Sequence, residues 1–423
     1  MNNKILDNYF FILFSLIPAS IIFGPAISFI NILLIDFSFI FLLIYTKDYK
    51  FLLNKTVKII LIFCLYLIFN AIISKDFSLG ALRNFGFIRF AILFCAFNYF
   101  FYYKSFFSKI LITWTLTLFI IMVDVYIESI TGKNIFGYSD LAGPGGRIVS
   151  FFKDEQIIGG YMNGFFLIII GYLFFLNKKL LNKYKNLILI FAILFFVAIL
   201  LTGERSNTIK ALFSFLVFYF YNDYFRLKEK CLSVLLFFIM LGFLFNQYSF
   251  LNARYVGQLI DPLTSIFQSS EEQKKSGIDP FIKIKNNIYV KLYDSGFTVF
   301  KNYPIFGVGN KNYRLETCEK NEEPSYVCST HPHQIYFEFM AEHGLIGSTI
   351  LLFILFNLIF GKMRIMFISK NYLQIGSLIF LSTSFIPFLP SGAFFGDFNL
   401  TIFWVNLSIM YSVNRKTNIF ASN

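Results

Sequence analysis

The sequence is organised around an eighteen-residue stretch, THPHQIYFEFMAEHGLIG, which runs from Thr330 to Gly347. All three histidines of the 423-residue chain lie inside it, at His331, His333 and His343. A polar segment precedes the stretch and an apolar one follows it, so we expect a wet loop to enter a membrane here. Because histidine titrates nearest neutral pH, this is the first place to look for proton-transfer chemistry.

The composition is that of a membrane protein. Hydrophobic residues make up 57% and charged residues 14% of the chain, with 61 phenylalanines; a soluble domain carries about a quarter charged residues. The first apolar run, Tyr9 to about Gly24, has no small-residue cleavage site after it, so it is read as a retained span. The net charge of +13 lies in short basic clusters between apolar runs. That pattern reports topology and argues against a nucleic-acid partner.

The sequence predicts an all-α polytopic membrane protein of about twelve transmembrane helices. A long polar loop, 248–334, separates the ninth and tenth spans; the whole chain, 1–423, is treated as one membrane domain into which that loop is inserted. The predicted spans are 9–24, 27–45, 57–74, 86–103, 109–127, 157–176, 186–202, 208–222, 232–247, 335–360, 371–389 and 397–413.

Basic residues divide unequally between alternate loops. One set of loops and termini holds nineteen Lys and Arg residues, and the opposite short loops hold six. By the positive-inside rule both termini are predicted to be cytoplasmic. The loop at 128–156, the turn Thr202–Asn207, the long loop and the histidines then face outward.

Two cysteines lie ten residues apart in the long outer loop, Cys318 and Cys328. An oxidising compartment favours a disulfide between them, just before His331. Two free thiols are the alternative. Cys64 and Cys95 fall within predicted spans and Cys231 at the edge of one, where cysteine usually acts as a small apolar residue.

His333 is predicted to head the tenth span. At about 100° per residue its helical face is predicted to point into the bundle, and Glu342 falls nearly opposite, so a direct dyad of the two is not expected. The same face holds Tyr336, Met340, Gly344 and Gly347. The alternative is that the histidines only cap a helix at the membrane interface. His-x-His is a weak metal signal with no obvious third ligand, so no metal is predicted.

Arg205 and Arg147 are predicted to lie on the outer face with the histidines. Arg205 sits in a turn between two spans, where a guanidinium is costly unless it meets water or an anion. A pair with Glu204 or a lipid headgroup is the structural alternative. Guanidinium groups bind phosphates through two parallel hydrogen bonds, so two of them beside a histidine suggest a lipid diphosphate.

The stretch from His331 to Gly347 resembles the signature of the O-antigen ligase and O-antigen polymerase superfamily, in which an outer-face histidine and then Glu-x-Gly-x-x-Gly open a late span. Three other stretches agree with it in order and position: Gly146 to Glu155, Leu201 to Ser206, and Pro304 to Asn310.

The resemblance implies a membrane glycosyltransferase of the bacterial inner membrane with its active face in the periplasm. It would be inverting, metal-independent and without a cofactor. The donor would be a glycan on undecaprenyl diphosphate, and the acceptor either another glycan, for a polymerase, or the lipid A core, for a ligase. His333 would act as general base or orient the acceptor hydroxyl, and Arg205 would neutralise the diphosphate. Further substrate contacts are expected from Arg147, His331, Lys291 and Glu342.

The sequence departs from the family pattern at one position. Family members often carry a further arginine before the Pro-x-x-Gly-x-Gly stretch, where this chain has Lys283, Lys285 and Lys291. Lysine lacks the guanidinium fork, which puts that contact in doubt. The choice between polymerase and ligase stays open; Asp154-Glu155 inclines us to polymerase.

Two other classes of protein remain open. A flippase or transporter of lipid-linked oligosaccharide would also be polytopic, but it would place ionisable groups near the bilayer midplane. Here Arg147, Arg205, His331 and His333 are predicted at one surface, which favours an interfacial enzyme. A non-catalytic scaffold of a glycan-export complex is the third reading.

Overall fold

The computed structural model describes residues 3–104, 106–139, 146–153, 155–179, 183–260, 287–319 and 323–421. Within these ranges every regular element is helical, apart from one isolated bridge between Lys133 and Ser139. The predicted all-α fold is confirmed. The α-helices are α1 Asn3–Ser15, α2 Ile17–Ile22, α3 Pro25–Thr46, α4 Lys55–Ile72, α5 Phe77–Gly86, α6 Ile88–Tyr103, α7 Phe107–Thr131, α8 Ile158–Lys179, α9 Lys185–Leu201, α10 Arg205–Tyr221, α11 Leu227–Gln247, α12 Ser249–Leu251, α13 Ile288–Asn302, α14 Tyr313–Glu319, α15 Ile335–Phe360, α16 Met363–Ser369, α17 Tyr372–Thr383 and α18 Asp397–Ser412.

The number of membrane spans is smaller by length and composition than the sequence predicts. Among the described residues, six helical stretches are long and apolar enough to cross a membrane. A seventh is possible if Leu227–Gln247 and Ser249–Gln258, which meet at a bend of 101°, form one broken span. Each of the twelve predicted spans overlaps a helix. The chain is thus a multi-pass membrane protein, and the count of twelve stays a prediction.

Helix α8 lies at the centre of the bundle, in contact with α9, α10, α17 and α18. Its contact with α17 is close because a side chain at Gly171 would overlap the backbone of Tyr372, and one at Gly376 would overlap the carbonyl of Leu167. Small residues at a helix interface allow such close approach inside a membrane.

Helix α18 brings Trp404 into a buried aromatic cluster with α4 and α6. Its ring lies 5.4 Å from Phe87, 6.3 Å from Phe94 and 6.4 Å from Phe90, measured between ring centroids. Each pair of this kind adds about 0.5–1.5 kcal/mol beyond the area that it buries. The cluster fixes the end of α18 from which the cavity described below is built.

The segment predicted as a long loop, 248–334, is largely helical where it is described. It contains α12, which continues into a π-helix at Asn252–Ile260, then α13 and α14, and α13 packs along α15. Cys318 and Cys328 are joined in a disulfide with their Cα atoms 4.6 Å apart. Residues 261–286, with Lys283 and Lys285, lie outside the described residues.

Helix α15 differs from the continuous helix predicted from His333. It begins at Ile335, with the Gln334 side chain accepting hydrogen bonds from the amides of Tyr336 and Phe337. His333 therefore precedes the helix, and the predicted helical face does not start from it. A second departure is a break at Gly344, where φ is 64°.

The break in α15 is occupied by the segment from Pro304 to Gly309. The amides of Val308 and Gly309 donate to the carbonyls of Ala341 and Glu342, and the amides of Leu345 and Ile346 donate to those of Pro304 and Ile305. This pairing satisfies backbone groups that the helix leaves open. Two of the stretches that carry the family resemblance are thus joined to each other.

Candidate functional site

A cavity of about 660 Å³ lies where α8, α10 and α13 meet the residues around His333 and the turn before α18. Three residues singled out in the sequence, Arg147, Arg205 and His333, line it together. They come from three distant parts of the chain, so their meeting is a property of the fold. Arg254 and Lys210 line the same cavity.

His333 is held at the cavity by its backbone. Its φ of 58° is uncommon for a residue with a side chain, and its carbonyl accepts a hydrogen bond of 2.8 Å from the amide of Ser391. The preceding Pro332 packs against α13 so closely that a side chain at Gly296 would lie 2.9 Å from the proline ring. Such conformations persist only where the surroundings fix them, and they cluster at functional sites.

The imidazole of His333 faces the cavity with His331 behind it. The ring centroids of the two histidines are 4.0 Å apart, and the Tyr289 ring lies 6.2 Å from His333. His331 is buried, with Nδ1 at 3.0 Å from the Thr330 hydroxyl and Nε2 at 3.3 Å from the Ser391 carbonyl. His331 therefore supports His333 and does not line the cavity.

Burial keeps both histidines neutral at physiological pH. It lowers the pKa of His331 to about 4, with a smaller contribution from the adjacent His333. Burial also lowers the pKa of His333 below its ordinary value. A neutral imidazole has a free lone pair, so His333 can accept a proton from a hydroxyl group placed in the cavity.

Arg205 and Arg254 approach the cavity from α10 and from the π-helix. Both are bonded to Gln258: Arg205 Nη1 donates to its carbonyl at 2.9 Å, and Arg254 Nη1 donates to its side-chain oxygen at 2.9 Å. Arg254 Nη2 donates to the carbonyl of Gly203 at 3.0 Å, while its buried Nε has no partner within the described residues. The remaining N–H groups are free to bind an anion.

Glu204 is not the partner of Arg205. Its carboxylate accepts hydrogen bonds from the amides of Gly159 and Gly160 at 2.6 and 3.1 Å, and from the Asn207 side chain at 2.7 Å. It therefore caps the first turn of α8, where the helix dipole favours negative charge. The Arg205–Glu204 pair, the structural alternative for Arg205, is not formed within the described residues.

The charge of the cavity lining is positive. Among its described residues, Arg147, Arg205, Arg254 and Lys210 are cationic, and Glu204 is the one carboxylate. Arg147 and Arg205 are near enough to repel the charge of Arg254. Of these cations Arg254 and Lys210 are buried and Arg147 and Arg205 are half-buried. Four cations with one carboxylate that is already hydrogen-bonded suit an anionic ligand.

The sequence analysis does not predict two of these cations, Arg254 and Lys210. Arg254 reaches the cavity only because the π-helix folds back onto Gly203. Lys210 did carry a signal, because an ionisable residue within the predicted span 208–222 marks a functional position by default.

Besides His331, two further predicted substrate contacts do not line the cavity. Lys291 is exposed on α13 and is not part of the cavity lining, although Tyr289, Val290 and Tyr293 of the same helix are. Glu342 is buried, and its side chain accepts a hydrogen bond of 2.9 Å from the amide of Lys311. This hydrogen bond fixes the segment after Gly309, and a substrate contact of Glu342 stays a prediction.

The residues of the stretch at 146–155 do not all lie at one site. Arg147 lines the cationic cavity, Asp154 lies outside the described residues, and Glu155 lines a separate, mostly apolar cavity of about 670 Å³. Within the described part of the chain, no group of three or more His, Cys, Asp or Glu side chains is arranged to hold a metal ion.

Residues 189–352 match the family described as O-antigen ligase. The resemblance to the O-antigen ligase and O-antigen polymerase superfamily is confirmed. The matched stretch contains Arg205, Lys210, Arg254 and His333, whereas Arg147 precedes it. The region thus supplies most of the cationic cavity and the histidine. No curated protein matches this chain.

Proposed function

We propose that this protein transfers a glycan from undecaprenyl diphosphate to a hydroxyl group of an acceptor glycan, at the periplasmic face of the bacterial inner membrane. The observation that carries the proposal is the cavity lined together by the arginines Arg147, Arg205 and Arg254 and by a neutral His333. An O-antigen ligase region contains three of these four residues.

The chemistry follows from what each group can do. The acceptor hydroxyl attacks the anomeric carbon of the donor sugar, and the bond from that carbon to the diphosphate oxygen breaks. The imidazole of His333 takes the hydroxyl proton. Attack opposite the leaving group inverts the anomeric configuration. Losing one general base typically costs about 10²–10⁴-fold in rate.

The leaving diphosphate gains negative charge as the bond breaks, because its oxygen keeps the bonding electron pair. Arg205, Arg254 and Arg147 would stabilise that charge in a cavity partly shielded from water, where fixed positive groups act strongly. Arg205 and Arg254 are already oriented by Gln258. Little reorganisation is then needed during the reaction.

The acceptor is either a second lipid-linked glycan, in a polymerase, or the lipid A core, in a ligase. The donor site described here serves both. Deletion of the gene separates them on a gel of the cell's lipopolysaccharide. Core capped with a single repeat indicates a polymerase, and bare core with retained lipid-linked polymer indicates a ligase.

The direct test uses purified protein with a defined glycan on undecaprenyl diphosphate and an acceptor glycolipid. We expect glycan on the acceptor and free undecaprenyl diphosphate in equal amounts. Movement of intact donor across a vesicle membrane without bond cleavage would instead indicate a flippase. If folded protein showed neither glycan transfer nor movement of the donor across the membrane, the proposal would be contradicted.

A further inference from the structure

Lys210 is a buried residue of the cationic cavity. It is 8% exposed, lies on α10 five residues after Arg205, and lines the cavity, whose lining also includes the apolar side chains of Phe380, Ile402 and Phe403. Within the described part of the chain its ammonium group has neither a hydrogen bond nor an ion pair. A lysine in such surroundings is costly unless an anion reaches it.

The protein itself does not supply that anion. Glu204 is the carboxylate among the described lining residues, and both of its oxygens are engaged by Gly159, Gly160 and Asn207. Four cations and one carboxylate leave an excess of three positive charges in the lining. A terminal phosphate carries about −1.5 to −2 at pH 7, so a free lipid diphosphate matches this excess better than one phosphate does.

The depth of Lys210 indicates which phosphate it meets. Five residues at about 1.5 Å each place its Cα about 7.5 Å further along α10 than that of Arg205. A lysine stem that lies along apolar surface extends its ammonium group back toward the polar end. We therefore expect the ammonium group to lie deeper in the cavity than the Arg205 guanidinium, nearer the lipid end of a bound diphosphate.

We propose that Lys210 forms a second phosphate subsite, which binds the lipid-side phosphate of the donor while Arg205 binds the sugar-side phosphate. This rests on the proposed function and adds to it the orientation of the donor. The lipid chain then leaves the cavity past Phe380, Ile402 and Phe403. Lys210 is a binding residue in this arrangement, and it takes no proton from the acceptor.

The two subsites predict different binding losses with two simple probes, undecaprenyl phosphate and undecaprenyl diphosphate. The monophosphate has only the lipid-side phosphate. Lys210→Met should therefore weaken the binding of both lipids by about 10- to 100-fold, the effect of one hydrogen bond to a charged group. Arg205→Met should weaken only the diphosphate to that degree. Binding is measured on purified protein in nanodiscs.

A stability measurement separates binding from a structural role. Removing an unpaired buried cation should raise the thermal unfolding temperature of the ligand-free Lys210→Met protein. Lys230→Met is the matched control, because Lys230 is also buried but donates to the carbonyls of Phe220 and Asn222. It should lower the unfolding temperature and leave lipid binding unchanged.

The outcomes separate this inference from the proposed function. Wild-type affinity of Lys210→Met for both lipids would overturn the subsite and leave the donor class intact. If Lys210→Met lowered the unfolding temperature without weakening the binding of the two lipids, Lys210 would have a structural role. That result would also overturn the proposed subsite. Failure of the wild-type protein to bind undecaprenyl diphosphate would instead contradict the proposed function.

Discussion

At the scale of single residues, His333 is the group whose position most depends on its surroundings. Its backbone has a φ of 58°, and the Ser391 amide holds its carbonyl. The two elements that meet here, the start of α15 and the turn before α18, must both be in place for the imidazole to face the arginines. The position of His333 is thus the most direct link between fold and chemistry.

We expect His333→Ala to lower glycan transfer by about 10²–10⁴-fold in protein that still inserts and folds, because one proton-transfer group is lost. Transfer per folded molecule is the measurement. His343→Ala is the control: His343 is buried with Nδ1 3.0 Å from the Tyr66 hydroxyl, so its loss should lower stability more than transfer. Near-normal transfer by His333→Ala would mean that another residue is the general base.

The pH dependence of transfer should report the same group. Burial lowers the pKa of His333 below the ordinary value of 6.5. The imidazole is therefore neutral and able to accept a proton above that lowered pKa, and activity is lost as pH falls through it. We expect the acid limb of kcat/KM to lie below pH 6.5 and to disappear in His333→Ala. An acid limb above that value would contradict this assignment.

Arg205→Lys tests whether the guanidinium fork is needed. The substitution keeps the charge but removes the paired N–H groups and the bond from Nη1 to the Gln258 carbonyl. We expect kcat/KM to fall about tenfold or more, because lysine binds phosphate as a point charge. Arg226→Lys, at the exposed start of α11, should have no effect. If Arg205→Lys were as active as Arg226→Lys, Arg205 would contribute to membrane topology and not to diphosphate binding.

The sequence predicts only part of the cavity, and the reason lies in how each residue arrives there. Arg147, Arg205 and His333 come from loops assigned to one face by charge and hydropathy. Arg254 depends on a π-helix that folds back onto Gly203, which no sequence period indicates. Lys291 is the opposite case, because the sequence predicts it at the site and the structure does not place it in the cavity lining. Its helix reaches the cavity, but its side chain is on the exposed face.

At the scale of elements, the break in α15 explains the glycines of the Glu-x-Gly-x-x-Gly pattern. Gly344 has a φ of 64°, and a side chain there would overlap the backbone of Ile305. A side chain at Gly347 would overlap the Tyr66 hydroxyl. From sequence the two glycines were compatible with simple close packing, because the break depends on a segment some forty residues earlier, Pro304–Gly309.

Gly344→Ala should therefore destabilise the protein strongly. The alanine would be strained at positive φ, at a cost of about 1–3 kcal/mol, and would also clash with Ile305. Thermal unfolding in detergent measures the loss. Gly242→Ala is the control, because a side chain at Gly242 on α11 would meet no atom within 4 Å. An unchanged unfolding temperature for Gly344→Ala would mean that the break is not required.

The disulfide joins α14 to the segment that leads into the histidines. We expect Cys318 and Cys328 to be joined in protein made in an oxidising periplasm, with a stabilisation of roughly 2–3 kcal/mol in the chain-entropy model. Mass mapping after alkylation without reductant should label the exposed Cys231 and leave these two unlabelled. If both were alkylated without reductant, the bridge would be absent from the natural protein.

At the scale of the whole molecule, hydropathy finds the helices better than it counts the spans. Helix α17, for example, is twelve residues long and ends at Thr383, whereas the predicted span continues to 389. The apolar residues beyond it, such as Phe388 and Leu389, line the cavity in a turn. Apolar side chains that line a cavity and those that face the bilayer have the same composition, so hydropathy does not separate them.

The orientation of the bundle decides which compartment the cavity faces, and it is tested by fused reporters. The division of basic residues, nineteen against six, predicts that reporters after Lys185 or Lys230 are cytoplasmic and that one within 265–278 is periplasmic. The last range lies outside the described residues, but the chain on both sides of it, at Gln258 and Tyr289, lines the cavity. We therefore expect a reporter inserted there to indicate the compartment that the cavity faces. Opposite results at these sites would place Arg205 and His333 on the cytoplasmic side, where the proposed periplasmic transfer could not occur.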